Sequence, residues 1–169
     1  MTDLPDLLVT DRIECGCVIR SKKRALQTIA ELLGASLRGP DPVDGVEDER
    51  DPPPVSDMAI LDALISRERL GSTGIGHGIA LPHSRLAGID EPLAALITLK
   101  EGVDFDAADD VAVDVVLGLL VPEDCNDDHL KILANLAKRF SDPTERNAIR
   151  ACQGGEKLMA RLIAASPPS

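Results

Sequence analysis

The segment Arg69-Leu-Gly-Ser-Thr-Gly-Ile-Gly-His-Gly-Ile-Ala-Leu-Pro-His83-Ser-Arg85 holds the side chains best suited to chemistry in this chain. Histidine is nucleophilic and titrates near neutrality, so an imidazole held between Pro82 and Ser84 is a candidate nucleophile or proton carrier. Pro82 fixes the approach of the residue after it, and Gly71, Gly74, Gly76 and Gly78 let backbone come close to an anionic ligand or a partner. The competing description of His83 is an ordinary loop histidine, and composition alone does not separate the two.

Two nucleotide-binding patterns fail on this segment. Gly71 and Gly76 have the glycine spacing of a phosphate-binding P-loop, but His77 stands where that loop requires lysine. Gly76-x-Gly78 is followed by Leu81 where the dinucleotide fingerprint requires a third glycine. His77, His83 and His129 could each ligate zinc through imidazole. The first two, however, are joined by a glycine loop and not by a rigid platform, so no metal and no cofactor is assigned.

The elements that must position these residues follow from apolar spacing. Ser21 precedes a helix with Leu26, Ile29, Ala30, Leu33 and Leu37 on one face, ending at Gly34 or at Gly39 with Pro40. Its first turn carries Lys22, Lys23 and Arg24, which oppose the helix dipole and read as a solvated face, with pairing to an acidic neighbour as the alternative. Ser56 caps a second helix with Met58, Leu61, Leu64 and Ile65, ending near Arg67, and the glycine segment follows directly. Leu93 to Leu99 and Val111 to Val121 read as buried strands, with short strands expected at Cys17 to Arg20 and Ile79 to Leu81. A helix from Asn126 aligns His129, Ile132, Leu133, Leu136 and Phe140, so His129 faces inward near the helix start. Pro143 opens another helix through Ala148 and Ile149, and Gly154-Gly155 separates it from a last one with Leu158, Leu162 and Ile163.

The chain's 169 residues fit one domain, 1–169, with 44% hydrophobic residues to build its core. Residues 39–54 are acidic and proline-rich, with too little apolar surface to offset ordering, and read as a flexible loop within that domain. A formal charge of −11 repels phosphate backbones and anionic membranes, and aromatic residues, 1% of the chain, leave almost nothing to stack on bases. Nucleic acid is therefore excluded as the main partner, and a basic protein surface is favoured. The longest apolar stretch falls short of a membrane span and the N-terminus lacks signal-peptide order, so a cytoplasmic protein without membrane insertion is expected. Cys15, Cys17, Cys125 and Cys152 form no Cys-x-x-Cys and read as reduced thiols.

The run from Arg67 to His83, with His129-Leu-Lys-Ile-Leu-Ala-Asn-Leu-Ala-Lys-Arg-Phe140 downstream, resembles the fructose/mannitol-type (type 2) enzyme IIA of the bacterial phosphotransferase system. The resemblance is closest to its nitrogen-regulatory branch and covers nearly the whole chain. It implies an α/β fold, a three-layer α/β/α sandwich with a mixed, partly antiparallel sheet. It also implies phosphorylation of His83 by an HPr-like phosphocarrier protein, attack through Nε2, and His129 and Arg67 as further site residues. Backbone N–H groups of Gly74, Gly76 and Gly78 are expected to cradle the phosphoryl oxygens. Two roles stay open: a phosphorylation-dependent regulator of target proteins such as a transporter or sensor kinase, or a sugar-transport subunit passing the group to an enzyme IIB. For Arg67 a surface ion pair with Glu68 is the rival description. Arg85 could contact phosphate but reads as solvated, Ser72, Thr73 and Ser84 could donate hydroxyls but read as turn formers, and His77 reads as a loop residue without a chemical task. The stretch from Pro40 to Pro54 looks longer than the family's usual link between its first two helices.

Overall fold

The computed structural model describes residues 4–38, 55–125, 127–151 and 153–165. The expected loop at 39–54 lies outside them, as does Cys152. In chain order the elements are α1 (Leu4–Leu7), a 3-10 turn at Thr10–Arg12, β1 (Ile13–Cys17), α2 (Lys22–Arg38), α3 (Asp57–Arg69), β2 (Gly74–Gly76) and β3 (Ile79–Ala80). They continue with β4 (His83–Leu86), β5 (Leu93–Val103), β6 (Val113–Pro122), α4 (Asp128–Phe140), α5 (Pro143–Ala151) and α6 (Gly155–Ala165).

The strands form a mixed sheet in the order β1-β5-β6-β3-β2. β5 and β6 pair antiparallel at its centre, with Ala95 opposite Gly118. β3 and β4 lie end to end along the other side of β6, both parallel to it: β3 meets Val115 and Val116, and β4 meets Leu119 through Pro122. Because side chains alternate across a strand, β5 sends Ala95 and Ile97 to one face and Ala94 and Leu96 to the other. α2 and α3 cover the first face with Leu26, Ile29, Leu33, Ile60 and Leu64. α1, α4, α5 and α6 cover the second with Leu7, Ile132, Leu136, Phe140, Ile149, Leu158 and Leu162. This is the α/β/α sandwich that the resemblance implies, and burial on both faces explains the continuous apolar run of β6.

Ser56 caps α3 as expected, its hydroxyl accepting from the Ala59 N–H at 3.1 Å. Several local expectations are corrected. The first strand is Ile13–Cys17, not Cys17 to Arg20, because Ile13 and Glu14 pair with Leu96 and Ile97 before a bulge at Gly16, where φ is +71°. Of the two expected ends of α2, the structure takes the later: the helix runs through Gly34 to Arg38. Met58 and Ile163 are exposed, and Ile60 supplies the core contact on α3 in place of Met58. Val111 is also exposed, since β6 begins only at Val113. For Lys22 the acidic-neighbour alternative holds in place of the solvated face: its ammonium lies 2.8 Å from a carboxylate oxygen of Glu68.

Candidate functional site

His83 occupies the first position of β4, opposite Leu119 of β6. The backbone leading to it is held from both sides. The Leu81 N–H donates to the Thr73 carbonyl at 2.9 Å, and the Leu119 N–H donates to the Pro82 carbonyl at 2.9 Å. Pro82 has no N–H of its own, so the chain gives up one sheet donor where the imidazole begins.

The ring is oriented by its own backbone, with Nδ1 lying 2.8 Å from the Leu81 carbonyl. A carbonyl only accepts, so Nδ1 carries the proton and Nε2 keeps its lone pair. Burial pushes the pKa of His83 below its ordinary 6.5; the Leu81 carbonyl opposes the shift, while Arg67 and His129 add to it. The ring is therefore neutral near pH 7, the state in which Nε2 can act as a nucleophile.

A pocket of about 390 Å³ opens beside this ring, lined among others by Arg67, Ser84, Arg85, His129 and Leu133. Arg67 comes from the last turn of α3 and donates from Nη1 to the Gly71 carbonyl at 3.1 Å. His129 comes from the first turn of α4, a helix start where the dipole favours an anion. Arg85, two residues along β4 from His83, places Nη2 3.1 Å from Nδ1 of His129 and 3.4 Å from Nε2. A guanidinium only donates, so this contact uses a lone pair of His129 and leaves the other ring nitrogen to carry an N–H. The structure thus brings together His83, Arg67 and His129, and adds Arg85 and Ser84.

Glu68 is not the partner of Arg67. Its side chain turns inward, is 6% exposed, and pairs with Lys22. Arg67 is free of that rival and faces the pocket. The sequence signal for Arg85 was its place two residues after His83, which puts both on one face only if the segment is a strand.

The three glycines lie elsewhere. A Cβ at Gly74 would sit 2.8 Å from Ala107, one at Gly76 3.2 Å from Asp109, and one at Gly78 2.6 Å from Arg150. They make a tight hairpin between β2 and β3, with His77 at its turn in the left-handed conformation, φ +58°. The His77 N–H donates to Asp109 at 2.9 Å, and its carbonyl accepts from Arg150. None of the glycines lines the His83 pocket. The absence of side chains here answers to neighbouring protein, and the hairpin aims β3 toward Leu81.

Among the described residues no group of three or more His, Cys, Asp or Glu side chains is placed to hold a metal ion. No described helix is long and apolar enough to cross a membrane.

The family model "Phosphoenolpyruvate-dependent sugar phosphotransferase system, EIIA 2" matches residues 6–165. A nitrogen regulatory protein of Pseudomonas aeruginosa is 38% identical over 143 residues, covering 85% of this chain and 83% of that protein. The crystal structure of nitrogen regulatory protein IIA-Ntr from Neisseria meningitidis superposes with a TM-score of 0.79 at 32% identity, over 94% of this chain and 97% of that one. Enzyme IIA mannitol from Escherichia coli, in a complex with phosphorylated enzyme IIB mannitol, shares the fold at a TM-score of 0.70 and 17% identity, over 93% and 97% of the two chains.

Proposed function

The chain belongs to the EIIA 2 family of the phosphoenolpyruvate-dependent sugar phosphotransferase system, and on that premise we propose that it is a phosphohistidine carrier that works as a phosphorylation-dependent regulator. In this reading Nε2 of His83 attacks the phosphorus of an HPr-like phosphocarrier protein. The new N–P bond forms as the donor's N–P bond breaks, and the proton stays on Nδ1, donated to the Leu81 carbonyl. The observation that carries the reading is that 2.8 Å hydrogen bond, which commits Nδ1 and leaves Nε2 as the available lone pair beside a cationic pocket.

Phosphoryl transfer asks a protein chiefly to align the groups and to offset charge on the phosphoryl oxygens. Arg67 supplies a planar guanidinium for those oxygens, and His129 supplies a ring N–H at a helix start. Arg85 orients His129. Gly74, Gly76 and Gly78 contribute through the hairpin and not as an anion cradle.

Regulation is favoured by the similarity to nitrogen regulatory proteins along most of the chain. A dianionic group added at His83 would make or break contacts with a target protein by pairing with arginine or repelling acidic side chains, with no sugar site required. The test is an acceptor assay beside an affinity assay, using phosphorylated and unphosphorylated protein. Phosphorylation-dependent capture of a transporter or sensor kinase, without transfer to enzyme IIB, is the expected result. Transfer to a fructose- or mannitol-type enzyme IIB with sugar uptake would establish the transport role in its place.

A further inference from the structure

Glu68 follows Arg67 in α3, yet its carboxylate is withdrawn from the pocket into the protein. A carboxylate taken out of water is costly unless its oxygens are engaged. Here Lys22 Nζ stands 2.8 Å from Oε1, the Thr73 N–H donates to Oε1 at 3.0 Å, and the Thr73 hydroxyl donates to Oε2 at 2.6 Å. Thr73 is itself 5% exposed. Its carbonyl receives the Leu81 N–H at 2.9 Å, and the Leu81 carbonyl receives Nδ1–H of His83 at 2.8 Å. Glu68 therefore fixes the backbone of Thr73, Thr73 fixes that of Leu81, and Leu81 holds the ring nitrogen that does not react.

We propose that Glu68 is a positioning residue for His83, acting through Thr73 and the Leu81 peptide to hold the imidazole in its Nδ1–H form with Nε2 turned to the pocket. This rests on the reading of His83 as the phosphoryl acceptor. The link is one of position, each contact fixing the backbone of the next residue, and the Glu68 carboxylate adds its field through space, which favours a proton on the ring. That matters most after transfer, when phosphorylation at Nε2 makes the ring cationic and the Nδ1 proton more acidic. The charged and titratable groups near the ring are Arg67 on α3, His129 on α4 and Arg85 on β4, and Glu68 supplies the opposing sign. In keeping with this, burial lowers the pKa of His83 first and foremost, while Glu68 raises it against the lowering effects of Arg67 and His129.

A purely structural Glu68 would close the turn from α3 to β2 and leave the imidazole's electronic state alone. The two are separated by imidazole ¹⁵N shifts of the full chain, unphosphorylated, measured across pH, together with phosphorylation rates from an HPr-like donor. In Glu68→Gln we expect a lower His83 pKa, loss of the single Nδ1–H tautomer and transfer slowed roughly tenfold. Thr73→Val, which keeps the peptide but removes the hydroxyl, should move the tautomer and pKa the same way by less, and Thr73→Ser should restore both. If Glu68→Gln does not fold, the Thr73 pair decides. Unaltered tautomer and pKa in the folded variants, whatever their melting temperatures, would overturn the proposal. If the wild-type chain accepts no phosphoryl group, the functional reading fails, while the ¹⁵N measurement still decides the role of Glu68.

Discussion

Replacing Arg85 with alanine removes the guanidinium that sits 3.1 Å from Nδ1 of His129. Both side chains reach solvent, so screening reduces this contact to about 1 kcal/mol, against about 1.5–3 kcal/mol for a well-shielded hydrogen bond to a charged group. At about 1.36 kcal/mol per decade of rate, Arg85→Ala should slow phosphoryl transfer roughly fivefold. His129→Ala removes the N–H offered to the phosphoryl oxygens and should slow it roughly 10- to 100-fold. The geometry gives Arg85 its role through His129, so the two effects must not multiply. The double variant should be slower than His129→Ala by no more than about twofold. The assay is rapid-quench transfer from a labelled phosphocarrier donor at limiting acceptor, in both directions and at two salt concentrations. A double variant showing the full product of the single effects would refute the reasoning. It would mean that Arg85 meets the phosphoryl group directly and that its contact with His129 does no orienting work.

Other expectations are as direct. The pKa of His83 is lowered by burial, so the unfolded chain binds more protons than the native one below the ordinary 6.5. Stability should therefore fall as pH drops from 6.5 toward the native pKa, and the slope should shrink in His83→Gln when melting temperatures are compared across that range; equal slopes would contradict the burial account. Transfer itself should stay fast at mildly acidic pH because the native ring remains neutral there. Gly118→Ala would drive a methyl group into Cγ2 of the fully buried Ile29, and overpacking of this kind should cost about 1–3 kcal/mol in urea denaturation. An unchanged midpoint would mean that α2 does not press on β6 as described. His77→Gly fits the φ of +58° without a side chain, so transfer rates should stay within about twofold of wild type; a larger loss would give His77 the chemical role denied to it here.

Much of the architecture was legible because the forces behind it are local and periodic. Leu26, Ile29 and Leu33 mark the buried stripe of α2, Ser56 announces α3, and the apolar run Val111 to Val121 reads as a strand covered on both sides, which begins two residues later than the run. The first strand is not legible in sequence because Glu14, Cys15 and Gly16 carry no strand signature of their own. Their pairing is imposed by β5, far along the chain. Met58 fits a helical spacing yet faces solvent, since spacing fixes which residues share a stripe and not how wide the covered stripe is.

The site divides in the same way. His83, Arg67 and His129 were legible through a family pattern of glycines ending in histidine, together with the place of His129 on an apolar helix face. Arg85 was not, because its role depends on β4 pairing with β6 and on α4 folding over both. The buried state of Glu68 was not either: beside Arg67 it looks like a surface ion pair, and only the approach of Lys22 from α2 makes withdrawal from water affordable. Glycines in sequence suggest an anion site because small residues permit close approach by any group. Which group approaches is decided in three dimensions, by Ala107, Asp109 and Arg150.

The central claim is that Nε2 of His83 carries the phosphoryl group. It is tested most directly by incubating ¹⁵N-labelled protein with phosphoenolpyruvate, enzyme I and an HPr-like phosphocarrier, then locating the group by mass spectrometry and ³¹P–¹⁵N NMR. The account predicts one acid-labile, alkali-stable group on Nε2 of His83, absent from His83→Ala. A group on Nδ1, on His129 or His77, or retained in His83→Ala would contradict it.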